Sequence, residues 1–149
     1  MKHRIVWIVL AAMATGCATT VPSADPEYLS TSEAKALNLP FSDAVRVGDL
    51  LFLSGKIGNL PGTRELAPGG IQGQTRRTLQ SIQASVEAWG SSMDRVVKCT
   101  VFLADMDEWG AMNEVYKTFF KNPPARSAMG VNGLAMNARV EIECIAAMP

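Results

Sequence analysis

The chain has 149 residues, 48% hydrophobic and 19% charged, with 14 basic side chains against 14 acidic and no formal net charge. That length and apolar content suit one domain with a real core and exclude an intrinsically disordered chain. The even charge balance argues against a protein that coats nucleic acid by neutralising a run of phosphates.

The first residues form a segment of another kind. Met1–Arg4 is cationic, residues 5–14 (IVWIVLAAMA) are an apolar run too short to cross a bilayer comfortably, and Thr15-Gly16-Cys17 follows. This order predicts an export signal over residues 1–17. Ala14-Thr15-Gly16-Cys17 resembles a bacterial lipobox, with alanine where leucine usually opens the motif. The resemblance implies a lipid thioether on Cys17, a membrane anchor, and a place in the cell envelope on the periplasmic side. Ala18, rather than aspartate, resembles an outer-membrane sorting signal. The plainer readings of the same residues are a signal peptide cut near ATGCA (residues 14–18) without lipidation, or an uncleaved anchor. Residues 18–38, rich in small, polar and proline residues, are expected to form a tether, and the domain to occupy residues 39–149.

Within that domain, FSDAVRVGDLLFLSG (residues 41–55) reads as two strands joined by a turn at Gly48-Asp49. Residues 56–70, dense in glycine and proline, read as a loop. Leu79, Ile82 and Val86 recur at spacings of three and four, which predicts a helix between Ile71 and Trp89 that stops at Gly90. RVVKCTVFLAD (residues 95–105) is β-branched and aromatic and predicts a strand. Asp105 or Asp107 can cap a second helix on which Trp109, Met112, Tyr116 and Phe119 or Phe120 share one face. Residues 121–124 break it, and two strands follow, ARSAMGV (125–131) and ARVEIECIAA (138–147), around a turn at Asn132-Gly133. The order β-β-α-β-α-β-β favours an α+β fold with both helices on one face of a mixed sheet, and leaves the other face in need of cover.

The usual catalytic sets are missing. The single histidine, His3, belongs to the export signal, so a Ser-His or Cys-His pair is excluded from the domain. The spacing of Cys99 and Cys144 supports no metal site; the two thiols are either buried core residues or partners in a disulfide. Three polar residues at strand ends remain. Arg126 follows Pro123-Pro124, which stiffen its approach, and its planar fork suits a carboxylate held by two parallel hydrogen bonds; a solvated strand end is the simpler account. Glu141 alternates with Val140 and Ile142 and so faces away from them, toward solvent or toward a ligand. Ser54 is by its position most often a hydroxyl bonded to backbone.

LLFLSGKIG (50–58), VVKCTVFLADMDEWGAMNEVYKTFF (96–120), PPARSAMGV (123–131) and ARVEIECIA (138–146) resemble, in that order, the signature segments of the Rid family, the reactive-intermediate deaminases also called YjgF or L-PSP proteins. The resemblance covers residues 39–147. It implies a chorismate-mutase-like fold, a homotrimer with clefts between subunits, and hydrolysis of small 2-imino acids and enamines, such as 2-aminoacrylate, to 2-keto acids and ammonia. No cofactor and no metal is implied. By position, Arg126 matches the arginine that grips the substrate carboxylate, Glu141 the glutamate that holds the water, and Ser54 and Asn113 further residues of the cleft. Two cleft positions depart from the family pattern, Phe41 standing for a tyrosine and Ala128 for a cysteine. Losing the phenol removes a hydrogen bond typically worth ~0.5–1.5 kcal/mol. Two alternatives follow, a non-catalytic module binding a small carboxylate, which Phe41 favours, and a ribonuclease, which the even charge disfavours.

Overall fold

A computed structural model describes residues 25–149. The expected export signal, Cys17 and the first part of the expected tether lie outside the described residues.

One sheet organises the chain, and its middle is the pair of eight-residue strands β5 (Val96–Leu103) and β7 (Val140–Ala147). Both alternate in burial, so that Cys99, Val101 and Leu103 on β5 and Val140, Ile142, Cys144 and Ala146 on β7 point to one face, as period-two patterning dictates. β2 (Ala44–Val47) and β3 (Leu50–Leu53) form the expected hairpin, with Gly48 at φ 55° supplying the left-handed turn residue. The sheet order is β1-β2-β3-β7-β5-β6, where β1 is Glu27–Leu29 and β6 is Ala125–Gly130. β5 and β6 run parallel and every other pairing is antiparallel. A short β4 (Lys56–Ile57) continues the β3 edge against β7 after a break at Ser54-Gly55.

Two helices cover the buried face. α2 (Gly70–Ala88) places Leu79, Ile82 and Val86 fully inside, at the predicted spacing, and Gly90 at φ 85° ends it. Each such side chain contributes roughly 1.5–3 kcal/mol through the apolar area it removes from water. α3 (Trp109–Tyr116) links β5 to the parallel β6. Gln74, buried in α2, accepts the Arg139 N–H, and a Cβ at Gly58 would stand 2.7 Å from the Gln74 backbone, so the loop before α2 is seated directly on the helix. The opposite face of the sheet is uncovered in the single chain, with Leu50 and Phe52 exposed.

Several expectations change. The segment expected as tether carries β1 and the short α1 (Ser32–Ala36), so the folded unit starts well before residue 39. The cause is a distant partner: Asp43 accepts hydrogen bonds from the Thr31 N–H and hydroxyl and from Lys56 Nζ, tying the α1 N-cap to β4. Burial raises the Asp43 pKa, but these hydrogen bonds outweigh it and the net displacement is downward. β4 and an isolated bridge between Asn59 and Leu66 interrupt the expected loop. Asp105 caps a short 3-10 turn ahead of α3 rather than α3 itself, and α3 ends at Tyr116, short of Phe120, which stacks on Tyr116 at 4.8 Å.

Cys99 and Cys144 face each other across β5 and β7 and form a disulfide. Closing a loop of 45 residues restricts the unfolded chain by about 4 kcal/mol in the chain-entropy model. The double variant Cys99→Ala/Cys144→Ala is therefore expected to lose about 2–4 kcal/mol in urea unfolding, and a reductant to lower the wild-type midpoint while leaving the variant's unchanged.

Candidate functional site

Pro123 and Pro124 turn the chain from α3 into the edge strand β6, and Arg126 is the second residue of that strand. It lies in register with Cys99, and so on the helix-covered side of the sheet. Its Nη1 donates to Asn113 Oδ1 at 2.6 Å, and its guanidinium carbon stands 4.6 Å from the centre of the Tyr116 ring and 5.8 Å from that of Trp109. Positions 109, 113 and 116 are spaced by four and three, so one stripe of α3 surrounds one cation. Nε and Nη2 make no hydrogen bond to protein among the described residues. Arg126 borders a hollow of about 480 Å³ walled by Asn113, Tyr116, Lys117, Phe120, Pro123 and Pro124.

Glu141 is elsewhere. In register with Phe102, it points to the bare face, where its carboxylate lies over Gly55; a Cβ built there would overlap Oε1. Burial, and secondarily the neighbouring Glu143 carboxylate, push its pKa above the ordinary value. Strand parity accounts for the separation. Arg126, Cys99 and Cys144 occupy one rung and face one way, and Glu141, an odd number of residues from Cys144, faces the other.

The expected cleft residues thus divide. Asn113 holds Arg126, and Ala128 lies half-buried on the same side, packed on the core. Ser54 Oγ donates to the Ser42 carbonyl at 2.6 Å and its N–H to the Asp43 carbonyl, which pins the end of β3 to the loop bearing the exposed Phe41. One chain does not bring Arg126 and Glu141 to one hollow, and a site using both needs a second copy. Tyr116, Trp109 and Gly55 were not singled out by sequence as site residues. The first two carry a signal in hindsight, since their helical spacing also includes Asn113.

A smaller hollow of about 140 Å³ on the bare face is lined by Phe52, Lys98, Glu143 and Ile145. Its lysine is already engaged with the Ser127 hydroxyl and the Cys99 carbonyl. Among the described residues no group of three or more His, Cys, Asp or Glu side chains could hold a metal ion.

Comparison with known proteins gives a consistent result. A family model described as Endoribonuclease L-PSP matches residues 31–148. The chain is 41% identical over 121 residues to the mouse protein named 2-iminobutanoate/2-iminopropanoate deaminase, covering 80% of this chain and 90% of that one. Among solved structures, a Rid family protein of unknown function from Yersinia pestis superposes with a TM-score of 0.76 at 33% identity, covering 83% of this chain and all of that one. TdcF of E. coli with bound serine gives 0.70 at 36% identity, over 74% and 90% of the two chains.

Gly55 has an ordinary backbone conformation, and the atom a methyl group would meet is the far end of a flexible side chain. Gly55→Ala is therefore expected to fold with a melting temperature within a few degrees of wild type while displacing the Glu141 carboxylate. Gly58→Ala, which meets helix backbone, is expected to lower the melting temperature markedly. Thermal melts of both, set beside the turnover of Gly55→Ala, check the contrast.

Proposed function

The chain belongs to the Endoribonuclease L-PSP family, and on that premise we propose that it hydrolyses small 2-imino acids and their enamine tautomers to 2-keto acids and ammonia, at sites formed between the subunits of a homotrimer. The observation that carries the reading is Arg126: one amino group is engaged by Asn113, and the Nε/Nη2 edge is left for a carboxylate to meet with two parallel hydrogen bonds. The family assignment, the relatives named as imine deaminases, and TdcF, a relative with bound serine, support a substrate of that size and charge.

In this proposal Arg126 of one subunit fixes the substrate carboxylate and the partner subunit's Glu141 holds a water against C2. Strand parity puts the two on opposite faces of one chain's sheet, which supports a site shared between chains, and the exposed Leu50 and Phe52 of the bare face offer apolar surface for the copies to bury. A protonated imine is already electrophilic, so orientation and a modest base suffice. Glu141 takes a proton as the water oxygen bonds to C2, giving a carbinolamine. That proton passes to nitrogen, the C–N bond breaks with its electron pair leaving on ammonia, and the hydroxyl proton returns to Glu141 as the C2–oxygen bond becomes the carbonyl. The raised pKa makes Glu141 a better base than a free carboxylate.

The proposal extends to location. Residues 1–17 read as an export signal ending at a lipidated Cys17, and the Cys99–Cys144 bridge suits an oxidising compartment, so the substrate is an imine arising in the envelope, for instance from an amino-acid oxidase there. One observation favours the second reading, a module that binds small carboxylates without turnover: Phe41 is exposed and brings no hydroxyl where the family tyrosine stands. The family's descriptive name points to ribonuclease action, but the even charge and the compact hollow beside Arg126 favour a small anion over a polynucleotide.

An imino acid generated in place by an amino-acid oxidase and trapped by semicarbazide separates the readings. Wild type is expected to cut semicarbazone yield, and Arg126→Ala to lose on the order of 100-fold in kcat/KM, the scale of losing two hydrogen bonds to a charged group. Equal yields with wild type, Arg126→Ala and no protein would leave only the binding module. Glu141 must be ionised to act, and its pKa is raised, so kcat/KM is expected to fall as pH drops through a midpoint above the ordinary 4.5. A pH–rate profile in which Glu141→Gln, at its much lower rate, still shows that limb would remove Glu141 as the base.

A further inference from the structure

We propose that Tyr116 and Trp109 are positioning residues for the carboxylate-binding arginine, and that the face of the Tyr116 ring, not its hydroxyl, is the part that acts. The inference rests on the reading of Arg126 as the carboxylate grip and assigns the side chains that orient it.

An arginine at the second residue of an edge strand has a long, freely rotating stem, and fixing it costs side-chain entropy. Here the restraint comes from one helix. Asn113 fixes Nη1 at 2.6 Å, and the guanidinium carbon lies over the Tyr116 ring, 4.6 Å from its centre and within cation–π range, with Trp109 at the outer limit. Asn113 alone sets one nitrogen and leaves the plane free to turn about that bond. The ring face restricts that freedom, with the Nε/Nη2 edge left unbonded to protein among the described residues. Tyr116 is itself held in place, buried and stacked on Phe120.

The hydroxyl contributes nothing visible to this. It is buried with no hydrogen-bond partner, and its pKa is pushed up to about 12 by burial, against the opposing pull of Arg126. A phenylalanine ring would stack as well and strand no polar atom. The Tyr116 ring is therefore distinguishable by substitution from both a hydrogen-bonding tyrosine and a space-filling one.

Binding of 2-oxobutanoate, a product-type carboxylate, to the full chain by calorimetry gives one readout, and the KM and kcat of imine hydrolysis the other. Tyr116→Leu is expected to weaken 2-oxobutanoate binding and raise KM by about tenfold with kcat within twofold, because the carboxylate grip serves ground and transition states alike. Tyr116→Phe is expected to stay within twofold of wild type in both and to melt at the same or a slightly higher temperature. Trp109→Leu, at a half-exposed position that leaves the core intact, is expected to weaken binding by about two- to fourfold and keeps the test open if Tyr116→Leu misfolds. Wild-type affinity in both leucine variants, or a loss in Tyr116→Phe equal to that in Tyr116→Leu, would overturn the assignment. Wild type that binds 2-oxobutanoate but turns over no imine would count against the deaminase reading and leave this inference standing on the binding series. Wild type that does not bind 2-oxobutanoate at all would overturn it at its premise.

Discussion

The rung that joins Arg126, Cys99 and Cys144 across three adjacent strands is the constraint on which the molecule's chemistry depends. A sheet offers two faces and no third choice, so the register of β5 against β6 and β7 decides at once where every polar side chain of those strands emerges. It sends the arginine under the helices and the glutamate out onto the bare face. A slip of one residue in the β6 pairing would turn Arg126 out to the bare face, and one in the β7 pairing would turn Glu141 and Glu143 into the core. The proposed division of labour between subunits is thus a consequence of hydrogen-bond register, held by the buried Val101, Leu103, Val140 and Ile142 around it.

The local chemistry at each half follows from what surrounds it. The guanidinium sits against aromatic rings and an amide, none of which competes for its negative counterpart, and so it is ordered without being neutralised. The glutamate has no cation beside it among the described residues and is partly desolvated near a second carboxylate, which makes it hold its proton more firmly. One chain therefore carries an oriented cation without an anion and a basic carboxylate without a cation, and in the proposed trimer each half meets its complement from a neighbour.

Much of this was legible from sequence where the signal is local. The turn at Gly48-Asp49, the helix face of Leu79, Ile82 and Val86, and the alternation in ARVEIECIAA all depend on neighbours within a few residues, and they appear where expected. β1 and α1 were missed because their support lies elsewhere: β1 adds to the edge of β2, and the α1 N-cap hangs on Asp43, twelve residues on. The site residues were partly legible for the same reason. Arg126 and Glu141 stood out by type and by resemblance, but their opposite facing follows from inter-strand register, which one strand's pattern does not contain. Tyr116 and Trp109 read as members of an apolar helical face, since period alone does not tell a ring that fills a core from a ring that lies against a cation 10 or 17 residues downstream.

The bridge between β5 and β7 bears on how the chain matures. Three cysteines admit three different pairings, and the strand register brings positions 99 and 144 together. In the proposed lipoprotein, transfer of a diacylglyceryl group converts the sulfur of Cys17 to a thioether and withdraws the odd thiol. Membrane attachment would then double as quality control, since a chain that skipped it would carry a spare nucleophile able to scramble the bond that its central strands share.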